Sequence, residues 1–249
     1  MMIENNILLS QHTTLRAGGP ARFFARARSI SELRDLVNYA RGEKIPHFVL
    51  GGGSNILFPD DGFPGLVIKI DMKGISFEPA GENNFRVISA AGENWDEFVK
   101  TTTERGLWGL ENLSYIPGEV GAAAVQNIGA YGKQIEECVE YVLAFDTEEM
   151  SLKKIFKKDC GFDYRTSIFK TPAGKRYIVT AVSFILSKTG EPVLSYKDLQ
   201  KFFEGKTKNS LKTRDLRDAV VAIRQSKLPD VKELASAGSF FKNPVVDGK

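Results

Sequence analysis

Two cysteines, two histidines and a net charge of only +3 over 249 residues exclude several common functions at the outset. Cys138 and Cys160 are too far apart for a C-x-x-C motif, and His12 and His47 stand alone, so no metal site is expected. Two scattered thiols fit a reducing compartment, and a cytoplasmic protein is expected. The longest apolar stretch, Tyr177 to Leu186, falls well short of the ~20 residues that span a bilayer. The first residues carry no positive charge, and Ile7-Leu8-Leu9 is too short for a signal sequence. No membrane partner is expected. Basic and acidic side chains nearly balance, 34 against 31. In the Lys-rich stretch beyond Leu186, Asp198, Glu204, Asp215 and Asp218 interleave with the lysines. Nucleic acid is therefore not an expected partner.

Familiar catalytic and nucleotide signatures are missing too. No glycine run is followed by the Lys-Ser/Thr pair of a P-loop. Gly51-Gly52-Gly53-Ser54-Asn55 would need glycine at Ile56 to match the dinucleotide fingerprint. Without a G-x-S-x-G elbow, or a histidine tied to a serine, a hydrolase triad is not expected.

What remains is an ordinary globular composition, 42% hydrophobic and 26% charged, in which strands and helices mix up to Leu186. Strands are predicted over 21–28, 47–50, 66–70, 85–91, 141–146 and 177–186. Ser29-Ile-Ser-Glu32 reads as a capping box for a helix carrying Leu33, Leu36, Val37 and Ala40, stopped at Gly42. Asn94 reads as the N-cap of a second helix. Leu216, Ala219, Val220 and Ile223 mark a third.

Four clusters could carry chemistry. Gly51-Gly52-Gly53-Ser54-Asn55 follows a strand, where consecutive N–H groups can form an anion nest; a plain tight turn would use the same residues. Pro117-Gly118 through Gly132 is rich in glycine and alanine, so backbone can approach a large flat ligand closely, and Gln126 and Asn127 add directional amides. Arg165, beside Tyr164, is either a snorkelling surface residue or a clamp for a carboxylate. Ser239 follows small residues, so its hydroxyl could face a closely approached site; a turn serine would look the same.

In this order the clusters resemble the UDP-N-acetylenolpyruvoylglucosamine reductases, flavoenzymes of peptidoglycan precursor synthesis. The matching strings are His12-Thr-Thr-Leu-Arg-Ala-Gly-Gly-Pro20, Leu50-Gly-Gly-Gly-Ser-Asn-Ile-Leu-Phe58, Ile116-Pro-Gly to Tyr131-Gly132, Tyr164-Arg-Thr-Ser-Ile-Phe-Lys170 and Gly238-Ser-Phe-Phe-Lys-Asn-Pro244. Tyr196, in Leu194-Ser-Tyr-Lys, is placed like the tyrosine of the subtype with an extra segment.

The resemblance implies an α+β, vanillyl-alcohol-oxidase-type FAD-binding fold. Subdomains at 1–75 and 76–188 would clasp FAD, and 189–249 would begin a substrate-binding domain. It implies FAD held by Gly51, Gly52, Gly53, Ser54, Asn55, Pro117, Gly118, Gly121, Ala122, Gln126, Asn127, Gly129, Ala130 and Tyr131. NADPH is the implied co-substrate, and the implied reaction reduces an enolpyruvyl sugar nucleotide to UDP-N-acetylmuramate. Arg165 is the implied carboxylate clamp and Ser239 the implied proton donor. Tyr196, Lys227 and Asn243 are the implied contacts to the sugar nucleotide. The family's third catalytic residue, a glutamate near the C-terminus, has no counterpart after Ser239, so the chain is expected to be a C-terminally truncated form. A monomer is expected. An oxidase of the same fold, and a flavin-binding fragment without turnover, are the competing readings.

Overall fold

The computed structural model describes residues 2–231, 233–239, 241–244 and 246. Two sheets fall in succession along the chain. The first combines β1 (Ile3–Leu8), β2 (Pro20–Ala27), β3 (His47–Leu50) and β4 (Phe63–Ile70) in the order β1-β2-β4-β3. β2 and β3 run parallel to β4, while β1 pairs antiparallel with β2. Parallel strands need a crossover, and helix α1 (Ile30–Gly42) supplies the one that carries the chain from β2 to β3, on the far side of β4. It turns Leu33, Leu36, Val37 and Ala40 into the core. Ser29 caps it by accepting the Glu32 N–H at 3.1 Å. The Glu32 carboxylate reaches one residue further back than a strict capping box, to the Arg28 N–H at 2.7 Å.

The second sheet is antiparallel throughout. β5 (Ile75–Pro79), β6 (Asn84–Ala90), β9 (Val139–Asp146), β10 (Ser151–Phe156) and β11 (Tyr177–Ser187) lie in the order β10-β9-β11-β6-β5. Between β6 and β9 come helices α2 (Trp95–Glu104) and α3 (Val120–Gln126) and a small ribbon, β7 (Gly129–Ala130) with β8 (Lys133–Gln134). Asn94 caps α2 by accepting the Glu97 N–H at 3.0 Å. Trp95 and Phe98 of α2 pack on Phe184 of β11, with ring centroids 5.2–6.2 Å apart. The Trp95 indole N–H is satisfied by Leu113 O at 2.8 Å, as a buried tryptophan requires. One buried cluster runs from Leu33 and Ile68 in the first unit to Phe98 and Phe184 in the second, so the two sheets share a core.

Helices α4 (Lys197–Phe202) and α5 (Thr213–Lys227) follow. They bury Leu199, Phe203, Leu216, Ala219, Val220 and Ile223 together, with Trp108 and Tyr131 at the edge. Polar contacts pin α5 to α2, among them an Arg214–Glu104 O bond at 3.2 Å. Arg217 forks onto Asp96 at 2.5 and 2.9 Å, and the Thr213 hydroxyl donates to Thr103 O at 2.8 Å. Beyond α5 the chain returns to the first unit. Ser236 exchanges two hydrogen bonds with Thr14, and the Arg16 guanidinium donates to Val231 O at 3.0 Å. Phe240, inside the last of the five matching strings, lies outside the described residues. No helix among the described residues is long and apolar enough to cross a membrane.

Candidate cofactor and substrate cleft

The two glycine runs face each other between the sheets. Gly51 to Gly53 leave the end of β3, and Pro117 and Gly118 lead into α3. A Cβ on Gly52 would stand 2.9 Å from the Gly118 Cα, and one on Gly51 would stand 3.2 Å from the Ala122 Cβ. The Ser54 hydroxyl donates across the seam to Pro117 O at 3.1 Å. Gly53 adopts φ +64° with its Cβ position 2.0 Å from His12 O, so only glycine fits there. Gly121 serves packing: its N–H donates to Ala91 O at 2.9 Å, and a Cβ would lie 2.7 Å from the Ala91 Cβ. The stretch from Val120 to Gln126, within the run expected to bring backbone close to a large flat ligand, is a short helix built largely of small residues.

Two chambers open along this seam. The larger, about 520 Å³, is walled by Phe48, Leu50, Val125, Phe169 and Ile178 with Gly51 to Gly53 along one side. The smaller, about 300 Å³, is more polar and carries Arg165, Lys170, Arg224, Ser239, Lys242 and Asn243. Ser54, Asn55, Glu119, Ala122 and Gln126 line both, so the chambers form one bent groove. Bare glycine backbone along the larger chamber suits the diphosphate of an extended dinucleotide, and the adjoining polar chamber carries the cations that a substrate carboxylate needs. FAD fits this chemistry. Glu119 sits where the two chambers meet, held by an ion pair with Lys69 from β4, and its Oε2 has no hydrogen-bond donor among the described residues. Burial pushes the Glu119 carboxyl up, against the pull of Lys69.

Arg165 has left-handed backbone, φ 53°, and lies against the Tyr164 ring. Its guanidinium donates to Asn127 O at 3.3 Å and to Gly129 O. A Cβ on Gly129 would stand 2.7 Å from the Arg165 Nη1, so the bare glycine makes room for the fork. The Lys170 ammonium donates to Arg165 O at 3.1 Å; burial, then the Lys242 charge, holds Lys170 below the usual lysine range. Arg165 and the C-terminal pair Ser239 and Asn243, more than seventy residues later, line one chamber. Pro117, Gly118, Gly129 and Ala130 line it as well.

Other expected residues lie elsewhere. Asn127 is fully buried at the left-handed C-terminus of α3. Its amide donates to Asp163 O at 2.9 Å and accepts from the Glu136 N–H at 3.3 Å, so its side chain ties loops together. Tyr131, expected beside the cofactor, instead packs edge-on against Tyr196 with centroids 5.1 Å apart. Lys227 pairs with Asp198 at 2.6 Å. Tyr131, Tyr196 and Lys227 are absent from both chamber walls; Tyr131 lies between Tyr196 and Lys227 on one side and Arg224, which lines the smaller chamber, on the other. Arg224 escaped the sequence reading. The Arg224 Nε donates to Tyr115 O at 2.9 Å, and burial lowers its pKa. The available signal was its spacing of three from Lys227, which puts both cations on one face of α5. Lys69 and Glu119 were missed because nothing local in sequence pairs them.

Comparison with known proteins decides the family. A family profile described as an FAD binding domain matches residues 21–149. The UDP-N-acetylenolpyruvoylglucosamine reductase of Ralstonia nicotianae is 39% identical over 249 residues, covering 99% of this chain and 72% of that protein. This chain belongs to the UDP-N-acetylenolpyruvoylglucosamine reductase family. The crystal structure of the Thermus caldophilus reductase superposes with a TM-score of 0.71 at 28% identity, over 98% of this chain and 76% of that one. Cholesterol oxidase from B. sterolicum shares the fold alone, with a TM-score of 0.57 at 13% identity over 75% of this chain and 37% of its own. As a member of the reductase family, the chain is an FAD-dependent oxidoreductase with the α+β FAD-binding fold.

Proposed function

We propose that this chain reduces UDP-N-acetylglucosamine enolpyruvate to UDP-N-acetylmuramate, with NADPH as the electron source and FAD as the carrier. The observation that carries the reading is the meeting of Arg165 and Ser239 in one polar chamber that adjoins the chamber lined by Gly51 to Gly53. Bound flavin supplies a site that accepts a hydride from NADPH and returns it to the vinyl carbon distal to the substrate carboxylate.

The chain's own residues do the rest. Gly51 to Asn55 and Pro117 to Ala122 present backbone to the dinucleotide, with residues 1–75 and 76–188 as the two clasping units. The Arg165 fork holds the substrate carboxylate and favours the charge that builds up next to it. Ser239 gives its proton to the carbon beside that carboxylate, completing net addition of hydride and proton across the double bond. Tyr196, Lys227 and Asn243 hold the sugar nucleotide, with Lys227 as a point charge for the diphosphate. NADPH and a soluble nucleotide sugar place the reaction in the cytoplasm, where it would feed cell-wall growth and division.

The two half-reactions separate these roles. Ser239→Ala is expected to slow flavin reoxidation by the sugar nucleotide by about 10²–10⁴-fold, the usual value of a positioned general acid. Flavin reduction by NADPH is expected to stay near wild type in stopped-flow absorbance. Equal loss in both halves would remove Ser239 from the proton step. An oxidase on the same fold would leave its flavin yellow under anaerobic NADPH.

A further inference from the structure

The segment that carries Ser239 has little packing of its own. Among residues 231 to 244, Ala237 is the only described one that is buried. What locates it is a short set of hydrogen bonds to the opposite side of the cleft. The Asn55 side-chain amide donates to Ala237 O at 2.7 Å and to Ser239 O at 3.1 Å. The Thr14 hydroxyl donates to Ser236 O at 2.6 Å, and the Ser236 N–H donates to Thr14 O at 3.0 Å. The Ser236 hydroxyl in turn accepts the Gly238 N–H at 3.1 Å, and Gly238 has φ +63°. Peptide groups before and at Ser239 are thus held from the first unit, although Ser239 follows α5 in sequence.

We propose that Asn55 and Thr14 are positioning residues for Ser239: the Asn55 amide and the Thr14 hydroxyl clamp residues 236–239 across the cleft and fix where the serine hydroxyl points. The proposal rests on the proton-donor role given to Ser239 above. Asn55 belongs to the glycine-rich loop, and the residue type there looks like one more phosphate contact. In the structure its NH₂ group bridges two carbonyls of the serine segment. A carboxylate could not do this, since two carbonyl oxygens and a carboxylate offer no proton between them. Misplacing a reacting group by about 1 Å costs roughly 10²-fold even when the change lies away from the chemistry.

Thr14→Val, Asn55→Asp and Ser239→Ala, each loaded with FAD, separate the possibilities. Hydrogen exchange of the Ser236 and Gly238 amides, which donate to Thr14 O and to the Ser236 hydroxyl, is expected to quicken at least about tenfold in Thr14→Val and Asn55→Asp and to stay at the wild-type rate in Ser239→Ala, as losing ~1.4 kcal/mol of local stability implies. Reoxidation of the reduced flavin by the sugar nucleotide is expected to slow in all three variants, with flavin reduction by NADPH unchanged in Thr14→Val. Wild-type exchange in both clamp variants would overturn the proposal. So would an Asn55→Asp protein that loses FAD while Thr14→Val exchanges and reoxidises normally, since that assigns Asn55 to the cofactor. If the wild-type chain reduces its flavin but Ser239→Ala reoxidises at full rate, the proton-donor reading fails while the exchange data still decide whether the clamp exists.

Discussion

Gly52 and Gly118 show how single residues set the width of the cleft. Their backbones approach so closely that one methyl group on Gly52 would strike the Gly118 Cα at 2.9 Å. Overpacking of this kind costs about 1–3 kcal/mol, so Gly52→Ala is expected to weaken FAD affinity by roughly 5- to 150-fold. Titration of apoprotein with FAD, followed by quenching of flavin fluorescence, measures this directly. Lys227 is a different case. It is exposed and paired with Asp198, yet stands three residues after Arg224, which lines the polar chamber. Removing a charge-assisted contact costs about 1.5–3 kcal/mol, so Lys227→Ala is expected to raise the KM for the sugar nucleotide roughly tenfold or more. An unchanged KM would detach Lys227 from the substrate. These glycines and Lys227 were visible in sequence because each type has a narrow set of uses. The partners of Asn127 and Tyr131 were not visible, because a side chain's direction depends on where a turn in left-handed backbone aims it, φ 45° and 49° in these two residues.

Among the elements, α5 matters most for the site, since it presents Arg224 and leads into the Ser239 segment. Its hold on α2 runs through Asp96, which accepts the Arg217 fork and also the Tyr115 N–H at 2.5 Å. Burial alone would push the Asp96 carboxyl up; Arg217 and the Tyr115 N–H outweigh it and hold it below the ordinary value of 3.8. A lowered folded pKa means the stabilisation is present above that ordinary value and fades as pH falls through the folded one. Asp96→Asn is therefore expected to flatten the acid side of the stability profile below about pH 4, in circular dichroism melts taken across pH. Arg217→Ala at neutral pH is expected to cost on the order of 3 kcal/mol, because it strands a largely buried carboxylate. The helices α1, α2 and α5 were legible from caps and apolar spacing. β1, β5 and β10 were not: they lie toward sheet edges and alternate apolar with polar residues too briefly to stand out, as in Ser151-Leu-Lys-Lys-Ile-Phe156. The helix α3 was hidden by its brevity: seven residues with no side-chain cap, set between Gly118 and Gly129, leave too little apolar spacing to stand out although its alanines favour helix.

At the scale of the whole molecule, the two sheets share a core below and separate above into the groove, with Lys69–Glu119 and Ser54–Pro117 bridging the seam. A ligand seated there touches both units and stabilises the folded chain by mass action. At a hundredfold excess over Kd, FAD is expected to add about 2.7 kcal/mol, which for a chain of this size raises Tm by roughly 5–10 °C. Sequence order carried much of the family likeness, since five short strings recur in register. It did not carry the bent shape of the groove or the return of the last segment to Thr14 and Asn55. Those depend on contacts between residues some two hundred positions apart.

The most direct measurement is absorbance of the FAD-loaded chain under anaerobic conditions, with NADPH added first and the enolpyruvyl sugar nucleotide second. Bleaching of the yellow bands followed by their recovery is the predicted sequence. A properly folded chain that takes up no FAD, or whose bleached flavin stays bleached when the sugar nucleotide arrives, would contradict the account.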